Sequence, residues 1–593
     1  MLKQETKNNS ESDVSLSVNS IEVLKKRYLL KDEKQNVYET PPELFRRVSG
    51  AVARAEDNFK SKIGSKEAEE KFNSIMSKLE FLPNSPTLMN AGTNLGQLSA
   101  CFVIPVEDSI DGMFKSLKDM AKIHQTGGGT GFSFSNLRPK GDTVSSTKGE
   151  ASGPVSFMGI FDHATGVIIQ GGRRRGANMG VLRCDHPDII EFINAKINSN
   201  KFSNFNLSVG ITDGFMDAVK KNKKFDLINP RTKQITQKVN ARNIFNAIAK
   251  SSWLTGDPGL IFLDEINRFN PTPGMGMIEA TNPCGELPLL PYESCNLGSI
   301  NLARMLNKGV IDWEKLKNCI HLGIRFLDDV IEVNKFPLGE VKKATLANRK
   351  IGLGVMGFAD MLIQMGISYN SKRAVKIAGN LMRFIHKESI NASVLLSKER
   401  GVFPNFRNSV YFKSSLRLRN ATVNTIAPTG TISIIAGCSS GIEPLFAVSF
   451  VRNVLSGSKL FEVNPSFKET VTNAIESLKK TNECRSLISS NLDKWQDIFQ
   501  LLLLIDHYSA SAQESAEKTI FVDCASYLEF VIMGLKDGYA DEGTLANLFA
   551  DINNKLEPIK THVFSQVVQH TLAILRETDE YQACPPSSSP SQR

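Results

Sequence analysis

The sequence predicts an α/β fold with a largely parallel sheet, and two observations support this prediction. Short apolar strand candidates alternate with helical patterns along the middle of the chain, at residues 205–211, 259–262, 300–302 and 351–356. Strands separated by helices in this way usually run parallel. The chain has 593 residues, of which 41% are hydrophobic and 22% charged, as in a large globular enzyme. The alternation leaves open whether the sheet closes on itself.

Composition argues against several classes of protein. The net charge of +9 is small for this length and no long basic run is present, so a nucleic-acid-binding surface is not predicted. Wholly apolar runs stay short, and residues 501–505 are among the longest, so we expect no membrane span. The N-terminus is polar and lacks the apolar core of a signal peptide. We therefore expect a cytoplasmic protein.

The nine cysteines do not predict a disulfide framework in a chain of this length. No CxxC has zinc-finger spacing, so we expect no metal site. Paired cysteines in a reducing compartment are more often catalytic or redox-active than structural. Cysteines without chemical neighbours in sequence are interpreted as core residues: Cys184, Cys319, Cys438, Cys484 and Cys524.

The N-terminal part of the chain predicts a disordered tail at residues 1–20, followed by a helical region at residues 21–95. Thr40 and Glu43 have the spacing of a capping box, with prolines between them and apolar residues following at helical spacing. We therefore expect a helix to begin at this point.

A turn-rich segment then leads into a strand candidate at residues 101–105, which Cys101 opens. A cysteine in this position acts as a small hydrophobic residue unless a second thiol lies opposite it.

Two glycine-rich segments follow. The cluster at residues 126–135 lacks the Gly-Lys-Ser/Thr ending of a phosphate-binding loop, so we favour close packing of its backbone. The arginines at residues 173–175 suit phosphate, although a solvated basic turn explains them better when they are taken alone.

Residues 281–297 contain Cys284, Glu286 and Cys295 among glycine, proline and asparagine, which predicts an irregular loop rather than a helix or a strand. Such a loop can hold Cys284 at its tip, with Asn282 and Glu286 on either side. A tight turn that happens to contain a cysteine explains the local residues equally well.

Residues 420–444 form a second constellation. A strand candidate at residues 421–426 runs into residues 428–433, where backbone amides and hydroxyls gather at a helix start. This arrangement suits an anion. A capped helix start without a ligand is an equally good interpretation.

Taken together, these segments resemble the large catalytic chain of ribonucleotide reductase, most closely its adenosylcobalamin-dependent class II form. The resemblance covers roughly residues 22–465, and its motifs follow one another in the family's order. They are ETPPELFRRV, NSPTLMNAG, LSACF, GGGTGFSFSNLRPKGD, QGGRRRGANMG, NFNLSVG, NPCGE, ESCNLGSINL, APTGTISIIAG and SSGIEP. The whole series outweighs each local alternative given above.

The resemblance implies a ten-stranded α/β barrel with a central finger loop, and it places NPCGE at the tip of that loop. The implied domains are the helical N-terminal region at 21–95, the reductase barrel core at 96–465, a divergent and mainly helical region at 466–580, and a disordered tail at 581–593.

The family's catalytic residues carry over to five positions. Cys284 matches the thiyl radical that abstracts the ribose 3′-hydrogen. Glu286 matches the carboxylate that takes the 3′-hydroxyl proton, and Asn282 matches the amide that orients the ribose. Cys101 and Cys295 match the dithiol that delivers two electrons and becomes a disulfide as the 2′-hydroxyl leaves as water.

Substrate and effector positions carry over with less detail. Substrate contacts are implied at Ser85, Ser99, Ala100, Thr429, Gly430, Thr431, Ile432 and Ser433, of which the last five match a phosphate cradle. Two loops that sense an allosteric deoxynucleotide are implied near 172–176 and 196–204, with Arg173, Arg174, Arg175, Lys196 and Asn204 as candidate contacts.

Two absences indicate the class. The class I large chain carries a pair of adjacent tyrosines, and glycyl-radical enzymes carry a C-terminal R-V-x-G-Y motif; this sequence has neither. The resemblance therefore implies adenosylcobalamin as the cofactor. It also implies a ribonucleoside di- or triphosphate substrate, deoxynucleotide or ATP effectors, and a reductant of the thioredoxin or glutaredoxin type. A homodimer is compatible with it.

The resemblance fades beyond about residue 465. The family's C-terminal cysteine pair, which re-reduces the active-site disulfide, is matched here only by Cys584, with Cys524 as a weak second member. The leading prediction is reduction of ribonucleotides for DNA synthesis. Two alternatives remain open: a catalytically silent nucleotide-binding paralogue, and a class I-like large chain that needs a separate radical-generating subunit.

Overall fold

The computed structural model describes residues 16–463 apart from 60, 62, 144–147, 171–173, 198–200, 415, 446, 448 and 455–457. The chain divides into two compact units, Met1–Glu443 and Pro444–Arg593. The helical N-terminal region and the main sheet both belong to the first unit. The regions expected at 466–580 and 581–593, and residues 1–15 of the expected tail, lie outside the described residues.

The helices of the first unit are numbered in chain order. They are α1 Val18–Arg27, α2 Pro41–Ala53, α3 Ser65–Ser77, α4 Ser85–Asn90, α5 Ile110–Gln125, α6 Pro154–Val167, α7 Ile189–Ile193, α8 Asp213–Lys220, α9 Ala241–Thr255, α10 Leu263–Arg268, α11 Trp313–Val333, α12 Gly339–Asn348, α13 Phe358–Gln364, α14 Lys372–Arg400, α15 Val410–Ser414 and α16 Ile432–Ala436. Short 3-10 helices lie at Arg54–Asn58, Pro273–Met275, Leu302–Arg304 and Pro404–Asn408.

The strands of the first unit are β1 Phe81–Pro83, β2 Cys101–Val103, β3 Gly129–Ser133, β4 Ile169–Gln170, β5 Arg174–Arg175, β6 Asn178–Arg183, β7 Phe205–Ile211, β8 Lys224–Ile228, β9 Ile235–Asn240, β10 Gly259–Phe262, β11 Ala280–Thr281, β12 Pro288–Leu289, β13 Ser294–Asn301, β14 Leu306–Asn307, β15 Val310–Ile311 and β16 Ile351–Met356. The described part of the second unit contains an antiparallel hairpin, β17 Ser449–Val454 with β18 Ser458–Val463.

The main sheet has eight strands among the described residues, against the ten that the family resemblance implies for a complete barrel. Their order is β1-β13-β2-β3-β6-β7-β10, and β16 also pairs with β13. The ladders from β2 to β10 are parallel, as is the ladder of β13 with β16. Strand β13 runs antiparallel to β1 and β2. The sheet is therefore mixed but largely parallel, as predicted.

Three predicted strands are confirmed with the bounds that the sequence indicated. Residues 205–211, 259–262 and 351–356 are β7, β10 and β16. Every residue of β16 is buried, which explains why its sequence is a continuous apolar run rather than an alternating one. The candidate at residues 300–302 covers only the end of β13 and the residue after it.

The two faces of the sheet have separate cores because successive side chains of a strand point to opposite faces. Phe102, the middle residue of β2, packs in a phenylalanine-rich cluster with helices α5, α6 and α9. Its neighbours Cys101 and Val103 pack in a second cluster with residues of β6, β13 and the segment around β11 and β12. This second face is called the inner face below, and it carries the candidate site.

The predicted capping box is confirmed at the start of α2. The Thr40 amide donates to Glu43 Oε2 at 2.7 Å, and Leu44 and Phe45 are buried on the packed side of the helix. The expectation for residues 1–20 is wrong at its end, because Ser17 caps α1 and the helix begins at Val18.

The strand predicted at residues 421–426 is wrong. The segment runs beside β16, but it forms only one isolated parallel bridge, between Asn424 and Leu353. The side chains of Thr422 and Asn424 donate to the carbonyls of Ile351 and Leu353, each at 3.1 Å. Side-chain donors of this kind compete with a regular backbone ladder.

Candidate active site

The segment 281–297 is more regular than the sequence predicts. Strand β11 pairs antiparallel with β12, and the six residues between them form a tight loop; residues 280–289 are called the finger loop. The prediction of one irregular loop is wrong at Cys295, which lies in β13. All eight residues of β13 are buried, so this stretch is a central strand despite the nearby glycine and proline.

The finger loop lies against the inner face of β3, where glycine is required. A Cβ atom on Gly131 would lie 1.7 Å from the Thr281 carbonyl oxygen, and one on Gly129 would lie 2.8 Å from Pro283 Cγ. Any larger residue at Gly131 would overlap the loop backbone. This contact confirms that the glycine cluster serves close backbone packing.

Two side chains fasten the loop on either side of its tip. Asn206 Nδ2, on β7, donates to the Pro283 carbonyl at 2.7 Å. Thr425 Oγ1 donates to the Glu286 carbonyl at 2.9 Å. The loop is therefore tied at two points to walls that are distant in sequence.

Cys284 lies at the tip of the finger loop and is exposed. The Gly285 amide donates to the Asn282 carbonyl at 3.0 Å, and the φ of Gly285 is 85°, a value that glycine adopts without strain. The prediction that the loop holds Cys284 at its tip is confirmed.

Cys101 and Cys295 lie directly opposite each other on adjacent antiparallel strands. They are paired residues in the register of β2 with β13. Both are free thiols, with exposed fractions of 4% and 0%. Side chains of directly paired residues share one face of a sheet and approach closely. From sequence, Cys101 was of chemical interest only if a second thiol lay opposite it, and Cys295 is that thiol.

Asn282 connects this pair to the finger loop. Its Nδ2 donates to Cys101 Sγ at 3.1 Å and to Glu286 Oε2 at 2.6 Å. Its Oδ1 accepts from the Leu287 amide at 3.0 Å. One amide group therefore links a thiol of the pair to the carboxylate beside Cys284.

Burial controls the ionisation of these groups. It raises the pKa of Glu286 above its ordinary value, and the hydrogen bond from Asn282 opposes that rise. Burial also raises the pKa of the Cys101 thiol well above its ordinary value, and the nearby Glu286 charge adds to the effect. At neutral pH the pair is thus a protonated dithiol, the form that can give up two hydrogen atoms.

Three of the residues expected to contact the substrate, Ser85, Ser99 and Ala100, differ in their burial and in their hydrogen-bond partners. Ala100 adjoins Cys101, and its amide donates to the Cys295 carbonyl at 3.4 Å. Ser85 is half-buried at the start of α4, with its hydroxyl 2.8 Å from that of Tyr28. Ser99 is fully buried, and its hydroxyl donates to Asn296 at 3.0 Å and accepts from Asn334 at 2.9 Å.

The expected phosphate cradle begins shortly after the Thr425 contact with the finger loop. Thr429 has a φ of 57°, and its Oγ1 accepts from the Gly441 amide at 2.7 Å. Thr431 precedes α16 and makes no side-chain cap. Ser433 is buried, with its hydroxyl 3.0 Å from that of Ser440. Gly430 and Ile432 complete the turn.

The candidate effector residues have the following positions where the structure describes them. Residue 173 lies outside the described residues, and Arg174 and Arg175 form β5. Lys196 forms an ion pair with Asp257 at 2.8 Å. The Asn204 amide and side chain both bond to Asp162.

The sequence did not single out several residues that support the site. These are Asn206, Thr425, Glu293 and Lys350; the last two form a buried ion pair next to Cys295. Asn206 and Glu293 lie within quoted motifs and Thr425 lies just before one, but the contacts of Asn206 and Thr425 depend on where the loop crosses the sheet. Lys350 follows Arg349 and directly precedes the apolar run of β16, so no local signal in the sequence indicates that it is buried.

Comparison with known proteins places the chain among named relatives. A family model described as "Ribonucleotide reductase, barrel domain" matches residues 99–418 and 416–533, and one described as "Ribonucleotide reductase, all-alpha domain" matches residues 14–96. The barrel model therefore extends beyond residue 465, where the motifs end.

Curated relatives agree with these family models. A protein of Thermoplasma acidophilum named vitamin B12-dependent ribonucleoside-diphosphate reductase is 53% identical over 513 residues, covering 77% of this chain and 67% of that protein. One of the same name from Mycobacterium tuberculosis is 53% identical over 456 residues, covering 77% and 66%. A ribonucleoside-diphosphate reductase subunit alpha of Helicobacter pylori is 28% identical over 568 residues, covering 75% and 71%.

The chain spans about two thirds of the length of the first two relatives. Within its described part, no helix combines the length and apolarity needed to cross a membrane.

Proposed function

Because the chain belongs to the ribonucleotide reductase family, we propose that it reduces ribonucleotides to 2′-deoxyribonucleotides by a thiyl-radical mechanism. The observation that carries this proposal is the connected set of groups on the inner face: Cys101 opposite Cys295, and Asn282 bonded to both Cys101 and Glu286. These groups join a two-electron reductant to an acid–base group beside an exposed cysteine. A nucleotide-binding protein without catalysis would not need them.

The finger loop supplies the groups that act on the ribose. In the proposal, the Cys284 sulfur radical takes the 3′-hydrogen atom, and the Glu286 carboxylate accepts the proton of the 3′-hydroxyl. Asn282 orients that carboxylate and the sugar. Because burial raises the pKa of Glu286, this carboxylate is a stronger base than an exposed one.

The paired strands supply the electrons. Cys101 and Cys295 together give two electrons and two protons to the sugar, and the 2′-hydroxyl leaves as water. The two sulfurs then form a disulfide. Cys284 then returns its hydrogen to the 3′ carbon. The register of β2 with β13 supports this step, because it brings the two side chains to one place.

A radical generator must reach Cys284 from outside the loop, and the exposure of that residue fits such an approach. Two relatives carry vitamin B12 dependence in their names, which supports adenosylcobalamin for this chain. When bound, this cofactor would supply the radical that removes the hydrogen atom of the Cys284 thiol. The role of the protein is to hold that sulfur at the tip through Asn206 and Thr425.

The proposal extends to substrates and partners. The names of the relatives support ribonucleoside diphosphates as substrates. Residues 429–433 would hold the phosphates, and the loops near 172–176 and 196–204 would respond to a deoxynucleotide or ATP. A thioredoxin- or glutaredoxin-type dithiol protein would reduce the disulfide, and we place the reaction in the cytoplasm.

The test is deoxynucleotide formation by the purified full chain with adenosylcobalamin, a ribonucleoside diphosphate and dithiothreitol. We expect cobalamin-dependent product that is lost in Cys284→Ala, while that variant keeps its thermal stability because the residue is exposed. Dithiothreitol replaces the protein reductant, so the barrel chemistry is measured separately from regeneration.

A folded protein that binds nucleotide but yields no deoxynucleotide would contradict the proposal. Product that persists in Cys284→Ala would contradict the role given to the finger loop.

A further inference from the structure

A buried ion pair lies next to the dithiol, and the mechanism above gives it no role. Lys350 Nζ donates to Glu293 Oε2 at 2.6 Å, and both residues are 2% exposed. Glu293 also accepts from the Leu290 amide at 2.7 Å and from Asn348 Nδ2 at 2.5 Å. Burying two charges is costly and often brings no net stability. The pair therefore calls for a functional explanation.

The strand register places Lys350 next to Cys295. In the parallel ladder of β13 with β16, Asn296 pairs with Ile351. Extending that register by one residue places Cys295 opposite Lys350, which directly precedes β16. On its other side, Cys295 pairs with Cys101. Paired residues point to the same face of a sheet. Cys101, Cys295 and Lys350 thus form a row on the inner face.

The order of this row gives the two thiols different positions. Cys101 contacts Asn282 of the finger loop, which carries the exposed Cys284 at its tip, and Cys101 retains 4% of its surface. Cys295 is fully buried between Cys101 and Lys350. A reductant that enters from the finger-loop side reaches the sulfur of Cys101 first. Cys295 is then the sulfur that must leave.

The charged groups that act on Cys295 are Lys350, Glu293 and Glu286, and Cys101 is its thiol neighbour. Burial raises the pKa of the Cys295 thiol, the two carboxylates raise it further, and Lys350 opposes them. Among these described groups Lys350 is the one cation. Lys350 therefore lies where it can offset the charge of a thiolate that departs from Cys295.

We propose that Lys350 is a positioning residue for thiol exchange: its ammonium stabilises Cys295 as the departing thiolate when the Cys101–Cys295 disulfide is reduced, and Glu293 holds that ammonium in place. The inference rests on the proposed function in taking these two cysteines as the pair that is oxidised. It goes beyond that function because it assigns an order of attack and a charge that assists it.

The step balances as an ordinary exchange. A thiolate of the external dithiol attacks Cys101 Sγ, the S–S bond breaks, and its electron pair leaves with Cys295 Sγ, which then takes a proton. The second thiol of the reductant attacks the reductant's own sulfur in the mixed disulfide and releases Cys101. The reductant is oxidised to its disulfide, and the protein regains two thiols.

The test measures how fast dithiothreitol reopens the oxidised pair, which requires no turnover. The full chain is oxidised, mixed with excess dithiothreitol, quenched with an alkylating agent at intervals, and read by mass spectrometry of the Cys101 and Cys295 peptides. The variants are Lys350→Met, Lys350→Arg and the double variant Glu293→Gln/Lys350→Met. Lys315→Met is the matched control, because Lys315 forms an ion pair with Glu80 at 2.9 Å that belongs to another part of the fold.

We expect Lys350→Met to slow reopening about tenfold, since a leaving thiol of higher pKa departs more slowly. Lys350→Arg, which keeps the charge, should restore most of the rate, and Lys315→Met should match the wild type. The double variant separates charge from packing. In Lys350→Met the buried Glu293 carboxylate loses its partner, whereas in the double variant no carboxylate is left unpaired. If slow exchange came from that structural defect, the double variant would recover the rate. If it comes from the loss of the positive charge, exchange stays slow in both.

A wild-type rate in Lys350→Met, or in the double variant, would overturn the inference. If Lys350→Met does not fold, the double variant decides in the same way. An oxidised wild type that forms no Cys101–Cys295 disulfide would instead overturn the dithiol assignment in the proposed function, and this inference with it.

Discussion

Asn282 connects the two parts of the site, the cysteine pair on the sheet and the finger loop. Its single side-chain amide bonds to Cys101 Sγ on the sheet and to Glu286 Oε2 on the finger loop. Burial raises the pKa of Glu286, and hydrogen bonds from the Asn282 side chain and from the Glu286 backbone amide lower it. Asn282 thus contributes to how basic Glu286 is.

This arrangement predicts a pH effect for Asn282→Ala. Glu286 must be ionised to accept a proton, so activity should fall as the pH drops through its pKa, which lies above the ordinary 4.5. Without the Asn282 hydrogen bond that pKa rises further, and the acid limb of the kcat/KM profile should move to higher pH. An acid limb that stays in place or moves to lower pH would contradict this role.

Residue roles could be inferred from the sequence where a motif surrounds them, as for Cys284 in NPCGE. Lys350 could not be inferred in this way, and Glu293 opens the quoted motif ESCNLGSINL without a role being assigned to it. The proximity of Lys350 to Cys295 depends on how β16 packs beside β13, which no local pattern encodes. Cys295 is predicted to lie in a loop because glycine and proline are nearby and its strand, SCNLGSIN, has no continuous apolar run.

At the scale of elements, the finger loop packs directly on the backbone of β3. The Thr281 carbonyl occupies the space where a side chain on Gly131 would lie. Gly131→Ala should therefore displace the loop or the strand, and we expect a loss of about 1–3 kcal/mol of stability, typical of overpacking, together with most of the activity.

Thermal unfolding and deoxynucleotide formation check this prediction. Gly214→Ala is the control, because a Cβ there meets nothing within 4 Å and the residue lies in α8. If Gly131→Ala proved as stable and active as Gly214→Ala, the loop could not pack on β3 as described.

Elements were predicted best where a short strand candidate lies between turns and helical patterns. Strands β7, β10 and β16 are of this kind and have the predicted bounds, although only β16 is buried throughout. The segment at residues 421–426 also runs beside β16, but its Thr422 and Asn424 side chains share carbonyls of β16 with backbone amides, and only one isolated bridge forms. Such competition is visible only once the neighbouring strand is known.

At the scale of the molecule, a buried charge cluster joins the helical N-terminal region to the sheet domain. Arg400 of α14 is fully buried and contacts Glu56 at 2.7 Å, Asp328 at 2.9 Å and Asp329 at 2.6 Å. Arg325 of α11 also contacts Glu56, at 2.5 Å. Glu56 belongs to the short helix after α2, so these bonds connect the two regions within one unit.

Arg400→Met should therefore weaken the whole first unit. Removing Arg400 leaves Asp329 without the cation it pairs with, whereas Glu56 keeps Arg325 and Asp328 keeps Arg349. Breaking a buried pair in this way typically costs about 3–5 kcal/mol. Arg268→Met is the control: Arg268 pairs with Asp213 at 2.6 Å in an exposed setting, where such pairs contribute less than about 1 kcal/mol. Equal losses in denaturant unfolding would contradict the structural role of the cluster.

The family resemblance predicted the architecture because it rests on motifs spread from the first helices to the cradle. It could not predict the charge cluster, whose members are far apart in sequence and match no motif. The cluster forms only when α11, α14 and the N-terminal helices pack together.

The central claim is that Cys101 and Cys295 supply the electrons for a reaction begun at Cys284. A single turnover tests it most directly: the fully reduced chain is given adenosylcobalamin and excess ribonucleoside diphosphate, without any reductant. We predict about one deoxynucleotide per active chain and a matching amount of disulfide that maps to the Cys101 and Cys295 peptides. Product formed while these two thiols stay reduced, or a disulfide between other cysteines, would contradict the account.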